Sequence, residues 1–178
     1  KGGSTGIVGL ITDTFIHVCN VGDSRAILVR SASDGGGAIE TTPMSHDHKP
    51  SMEGEEERVV AAGVEIYKGE ENDDGIFVEA STWKVKRAKN EMLAVSRAFG
   101  DFVYKKSEKE GLTLWQEAVV STPTILSEAR SETDKWLVLA CDGIWDVMSN
   151  EECGAFVDAK YNEICADKAS SDLSVGQV

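Results

Sequence analysis

The chain is short of positive charge, of histidine and of long apolar runs. Its 178 residues carry 18 Lys and Arg against 31 Asp and Glu, a formal net charge of −13 and a sequence pI of about 4.6. Nucleic-acid backbones are held by clusters of Lys and Arg, so this balance excludes nucleic acid as the main partner. It argues equally against docking on anionic lipid. The longest apolar run, Trp136 to Cys141, is far too short to cross a bilayer. The opening Lys1-Gly2-Gly3-Ser4-Thr5 has neither the charged start nor the apolar stretch of a secretory signal. The cysteines, Cys19, Cys141, Cys153 and Cys165, make no C-x-x-C pair and no Cys-His zinc spacing. They read as free thiols of a reducing compartment, and an intracellular setting, cytoplasmic or nuclear, is expected. No G-x-x-x-x-G-K-[ST] phosphate loop occurs. The histidines His17, His46 and His48 are too few for a two-metal site built from imidazoles. In an extended segment His46 and His48 share one face and Asp47 takes the other, so zinc ligation by them is not expected.

What is present is a foldable composition, 41% hydrophobic and 28% charged, in a chain long enough for one domain with a core. Gly6 to Leu10 and Thr14 to Val21 are rich in Ile, Val and Phe and are split by Thr12-Asp13, which predicts a hairpin. Ala26 to Arg30 reads as a third strand of an antiparallel meander, followed by a flexible turn at Ser33 to Gly37. A helix is expected after Pro50, with Ser51 as N-cap, Gly63 at its end and the acids Glu53, Glu55, Glu56 and Glu57 on a solvated face. Tyr67 to Lys89 is polar and poorly periodic and reads as a long loop or flap. Val119 to Leu126 reads as a strand that Pro123 pushes to an edge. Trp136 to Cys141, apolar on both faces, predicts a buried central strand. Ser149-Asn150-Glu151-Glu152 is a capping box for a helix that turns Ala155, Phe156 and Val157 toward the sheet and frays after Ala169.

The residue types favour carboxylate chemistry. Asp142 ends the buried strand and is followed by Gly143, and Asp146 lies four residues on. If that stretch is helical, the two carboxylates stand about 5–6 Å apart, a spacing that suits a hard divalent cation. The alternative leaves Asp142 capping a turn and Asp146 in solvent. Asp47 is the third candidate. Thiol nucleophilic chemistry would need a cysteine beside a cation or a helix N-terminus.

Six blocks taken together carry a family resemblance. They are Gly3-Ser4-Thr5, Asn20 to Arg25, Asp47-His48-Lys49-Pro50, Glu57-Arg58, Leu93 to Asp101, and Leu139 to Val147. In this order they resemble successive motifs of the metal-dependent serine/threonine protein phosphatases of type 2C (PPM). The resemblance implies an α+β fold, a four-layer αββα sandwich of two antiparallel sheets flanked by helices. It implies Mg²⁺ or Mn²⁺, two or three ions in a complete domain, and phosphoprotein substrates. A metal-activated water would hydrolyse phosphoserine or phosphothreonine directly. Asp142 matches a ligand of the two-metal centre, and Asp47, Asp142 and Asp146 match the carboxylates around a third ion. Ser96, Arg97, Asp101 and Gly143 match residues near the site, the first three expected to act by structural hydrogen bonding. The Gly22-Asp23 connection is expected to be a structural turn. The family's phosphate-gripping arginine, its Asp-Gly-His-Gly motif and its later Asp-Asn are not in residues 1–178. The chain is therefore expected to be a partial catalytic domain with a flap-like insertion around 67–89, inactive in isolation, or alternatively a non-catalytic pseudo-phosphatase module.

Overall fold

The computed structural model describes residues 2–32, 37–88, 91–105, 111, 113 and 116–175, with 167–175 described in backbone only. The predicted hairpin forms as β2 (Gly6–Ile11) and β3 (Phe15–Val21), preceded by the two-residue β1 (Gly3–Ser4). β3 is the middle of a three-stranded antiparallel sheet whose other edge is β10 (Thr124–Ala129). The third predicted strand exists as β4 (Arg25–Ser31), but it does not continue the meander. It crosses to a second antiparallel sheet, between β5 (Ile39–Pro43) and β11 (Asp134–Ala140). The reason lies in the burial of β4: Ala26, Ile27, Leu28 and Val29 are all buried, so both faces of this strand need apolar partners. Ala26 and Leu28 pack with Ile16 and Val18 of the first sheet, and Ile27 and Val29 pack with Trp145 and Cys153 on the other side.

β4, not β11, is thus the buried central strand. β11 sits at the edge of its sheet among the described residues and is only half-buried. The next strand begins at Thr124, after Pro123, which has no N–H to give to a ladder. The turn expected at Ser33 to Gly37 falls mostly on 33–36, outside the described residues.

Helix α1 spans Glu55–Ala61 and is capped by Gly54 rather than by Ser51. It packs through Val59 against a third sheet, β6 (Glu65–Glu71), β7 (Phe77–Ala88) and β8 (Glu91–Leu93). The segment expected as a long loop or flap is therefore, over its described residues 67–88, most of a long hairpin. Its polarity reflects exposure of both faces near the tip, where Ile76, Phe77 and Val78 are also exposed. The two-residue β9 (Phe99–Gly100) pairs with β1. The short α2 (Asp142–Trp145) leads to α3 (Asn150–Val175). The capping box forms as predicted: Ser149 N donates to Glu152 Oε2 at 2.8 Å and Glu152 N donates to Ser149 Oγ at 3.1 Å. Cys153 and Gly154 face the sheet, whereas Ala155 and Phe156 are exposed, because the helix enters one position out of the expected phase. Its backbone stays helical past Ala169. No described helix is long and apolar enough to cross a membrane, and all four cysteines are free thiols.

Candidate metal centre

β11 delivers the chain to Asp142 at the start of α2. Asp146 N donates to the Asp142 carbonyl at 2.8 Å, so the two aspartates stand one helical turn apart. Both are exposed, and no hydrogen bond or ion pair among the described residues engages either carboxylate. A Cβ at Gly143 would meet only Cys141 Sγ, at 3.7 Å, so packing does not demand glycine there.

Asp47 reaches the same end of the second sheet by a different route. The loop after β5 is tied to the β3–β4 turn: His48 N donates to Gly22 O at 2.9 Å, and Gly22 N donates to His48 Nδ1 at 3.1 Å. Asn20 Nδ2 donates to both Gly22 O and His46 O at 2.9 Å. Gly22 has φ +104°, and a Cβ on it would lie 2.3 Å from Thr5 Cγ2, so only glycine fits. Both oxygens of Asp47 are engaged by Arg25, whose Nε donates to Oδ1 at 3.0 Å and Nη2 to Oδ2 at 2.9 Å. Arg25 also donates from Nη1 to Asn150 Oδ1 at 3.0 Å and lies 5.3 Å from the centre of the Trp145 ring. Lys49 Nζ stands 4.0 Å from Asp47 Oδ2.

Asp23 is the residue that the sequence reading passed over as a turn. Its carboxyl is pushed above the ordinary aspartate value by burial and by the charge of Asp142, with a smaller push from Asp47, against the opposing effects of its own backbone N–H and Lys49. Asp23, Asp47 and Asp142 thus share one electrostatic neighbourhood. Among the described residues, however, no three His, Cys, Asp or Glu side chains gather closely enough to hold a metal ion. The donors suit Mg²⁺ or Mn²⁺, which take carboxylate oxygens, but the set within this chain is sparse.

Ser96 and Arg97 belong to a different arrangement. Glu55 is buried, which corrects the solvated reading at that residue, while Glu53 and Glu57 are exposed and Glu56 is half-buried. Arg97 donates to Glu55 Oε1 from Nε at 3.0 Å and from Nη2 at 2.5 Å, Arg58 Nη2 donates to Oε2 at 2.5 Å, and Ser96 Oγ donates to the same Oε2. Burial would raise the Glu55 pKa, but the Arg97 and Ser96 hydrogen bonds and the Arg58 charge bring it down to about 2. Arg58 Nη1 and Arg97 Nη1 also close off the carbonyls of Glu117, Ala118 and Thr122, so the cluster clamps α1 to the segment leading into β10. The one sequence clue was Glu55 lying three residues before Arg58. Asp101 adopts φ +49°, and its N donates to Gly2 O at 3.0 Å.

His48 is buried and bonded at both nitrogens. Nδ1 accepts from Gly22 N, so Nε2 carries the proton and donates to Thr124 Oγ1 at 2.8 Å. Burial and the Arg97 charge lower its pKa to about 4. It is a structural neutral imidazole, with no nitrogen left for a metal. Two spacings that belong to other chemistries are not expressed by the fold. Cys19 precedes Arg25 by six residues, but Cys19 lies inside β3, paired on both sides by Val8 and Ile125, and Arg25 is held by Asp47. Gly2-Gly3-Ser4-Thr5-Gly6 matches G-x-S-x-G, but it joins two strands instead of a strand and a helix, and Ser4 Oγ donates to Thr5 O at 2.8 Å.

The model of the family described as protein phosphatase 2C matches residues 1–174. The chain belongs to the protein phosphatase 2C family. Rat protein phosphatase 1B is 37% identical over 90% of this chain and 34% of its own length. A probable protein phosphatase 2C of Arabidopsis thaliana, number 69, is 39% identical over 87% of this chain and 34% of its own length. Among solved structures, a C. elegans sex determining protein superposes with TM-score 0.66 at 25% identity, covering 89% of this chain and 32% of that one. A serine-threonine phosphatase 2C from Toxoplasma gondii shares the fold, with TM-score 0.61 at 22% identity over 83% of this chain and 44% of that one. The chain spans about a third of the length of the curated relatives it matches. The chain is mixed α and β, with several antiparallel sheets and few helices, and matches part of the phosphatase 2C fold.

Proposed function

We propose that the protein carrying this chain hydrolyses phosphoserine and phosphothreonine in protein substrates with Mg²⁺ or Mn²⁺, and that Asp142 is this chain's ligand to the metal pair. The observation that carries the reading is the pair of exposed, unengaged carboxylates of Asp142 and Asp146 one helical turn apart, at a sheet end where Asp23 already feels the charge of Asp142. A bound divalent cation would acidify a water and offset the phosphate's charge. The rest of the role falls to the protein. Arg25 holds Asp47 in place and, through Asn150, ties its loop to the start of α3. A third ion shared by Asp47, Asp142 and Asp146 would have to draw Asp47 away from Arg25.

The test is turnover of p-nitrophenyl phosphate and of a phosphothreonine peptide by the full-length protein with Mn²⁺, with EDTA as control. Asp142→Asn is expected to reduce kcat by at least about a hundredfold, the scale of one strong electrostatic element. Mn²⁺-independent turnover, or near-normal kcat in that variant at limiting metal, overturns the assignment. Folded, metal-binding but inactive protein would favour the non-catalytic alternative.

A further inference from the structure

Most of β7 has a partner on one side only. β8 pairs with Val85, Lys86 and Ala88, so from Phe77 to Lys84 the edge opposite β6 carries no strand among the described residues. The β6 side is irregular too. The register jumps from Gly69↔Glu79 to Tyr67↔Lys84, leaving Ala80 to Trp83 opposite Lys68 alone. Gly69, at φ +138°, permits the jump, since a Cβ there would lie 2.1 Å from Val78 O. Trp83 is fixed at the bulge by Nε1 donating to Glu79 Oε1 at 2.9 Å and by Lys68 Nζ 4.1 Å from the ring centre.

A groove of about 500 Å³ runs along the five consecutive residues Glu79 to Trp83, with Lys49 and Ser51 as its other wall. Ala80 to Trp83 are the bulged residues that have left the β6 ladder, so the groove runs along main chain that β8 does not pair and that faces Lys68 alone on the β6 side. No β6 residue lines it, which places it on the open edge. A second depression of about 280 Å³, around Arg25, Asp47 and Asn150, shares Lys49 and Ser51 with it. The open edge therefore leads to the Asp47 side of the candidate metal centre.

We propose that this groove binds the main chain of a phosphoprotein substrate as an added strand on β7, with the phosphorylated residue reaching past Lys49 toward Asp47 and Asp142. The proposal rests on the phosphatase reading above. An open strand edge offers alternating N–H and C=O groups, the recognition chemistry of an extended polypeptide. Lys49, at the junction, brings a positive charge and three N–H donors to an anionic group arriving from the groove. The exposed Phe77 and Val78 begin the same strand, with the exposed Ile76 just before it, and offer apolar side chains for the distal end of the peptide.

The experiment compares p-nitrophenyl phosphate, which has no main chain, with a phosphothreonine peptide on the full-length protein. Each peptide nitrogen is methylated in turn. The wild-type KM is expected to rise about tenfold at every second position, the loss of one main-chain hydrogen bond, and to stay flat between. Ser81→Pro is expected to raise peptide KM by a similar factor while leaving p-nitrophenyl phosphate kcat/KM unchanged. A flat methylation scan, or a folded Ser81→Pro variant with normal peptide KM, overturns the groove. If neither substrate is turned over, the phosphatase reading fails, and fluorescence anisotropy of the labelled peptide in EDTA still decides the groove. Alternate-position sensitivity there supports it, and absent or insensitive binding overturns it.

Discussion

Arg25 and Asp47 form a two-pronged ion pair, with Nε–Oδ1 at 3.0 Å and Nη2–Oδ2 at 2.9 Å, across the gap between β4 and the loop that follows β5. The pair occupies both oxygens of a residue that family resemblance assigns to a third metal ion. Arg25 is therefore a competitor for any cation at Asp47. Replacing Arg25 with alanine should tighten Mn²⁺ binding severalfold in calorimetric titration, while lowering stability by about 1–2 kcal/mol for the lost charged hydrogen bonds. Unchanged Mn²⁺ affinity would remove Asp47 from the ion's surroundings.

Glu55 is the buried anion that holds two half-buried arginines together. Glu55→Ala leaves Arg58 and Arg97 facing each other without compensation, and should cost about 3–5 kcal/mol in urea unfolding. Glu57→Ala, on the exposed side of the same helix, should change stability by less than about 0.5 kcal/mol. Equal effects would contradict the clamp.

Acid should unfold the domain in two stages. His48 is held neutral, with its pKa lowered to about 4 from 6.5, so the unfolded chain takes up the proton first. Its contribution is complete above pH 6.5 and is lost as pH falls toward 4. Glu55, held down at about 2 from 4.5, contributes above pH 4.5 and loses that contribution as pH falls toward 2. Tm measured against pH should fall below 6.5 and steepen below 4.5. His48→Asn should flatten the upper segment only, and an unaltered upper slope in that variant would exclude His48 as its source.

Gly22 sits where Thr5, Arg97 and the His48 loop meet. Gly22→Ala should destabilise by about 1–3 kcal/mol, because φ is positive and Thr5 Cγ2 occupies the space. The same variant should loosen the Asp47 loop, read as faster amide exchange at His48, whose N–H bonds Gly22 O. Protection at His48 equal to wild type would show that the loop is held elsewhere.

Local signals in the sequence determined the hairpin at Gly6 to Val21, the capping box at Ser149 to Glu152 and the one-turn spacing of Asp142 and Asp146. Each depends on residues within a few positions of one another, where backbone geometry and side-chain reach leave little choice. The order of the motif blocks likewise sufficed to name the family. What only the tertiary structure decided depends on partners far apart in the chain. β4 left the meander because both of its faces needed burial. Glu55 went inside because Arg97, 42 residues away, and Arg58 offset its charge. The strands within residues 67–88 were not legible, and the stretch read as a long loop or flap, because a hairpin exposed on both faces near its tip has no apolar period to detect and is held by backbone pairing that side-chain pattern does not encode. Asp47 was legible as a carboxylate but not as an engaged one, since nothing in the run His46-Asp47-His48 announces that Arg25, 22 residues earlier, already holds it.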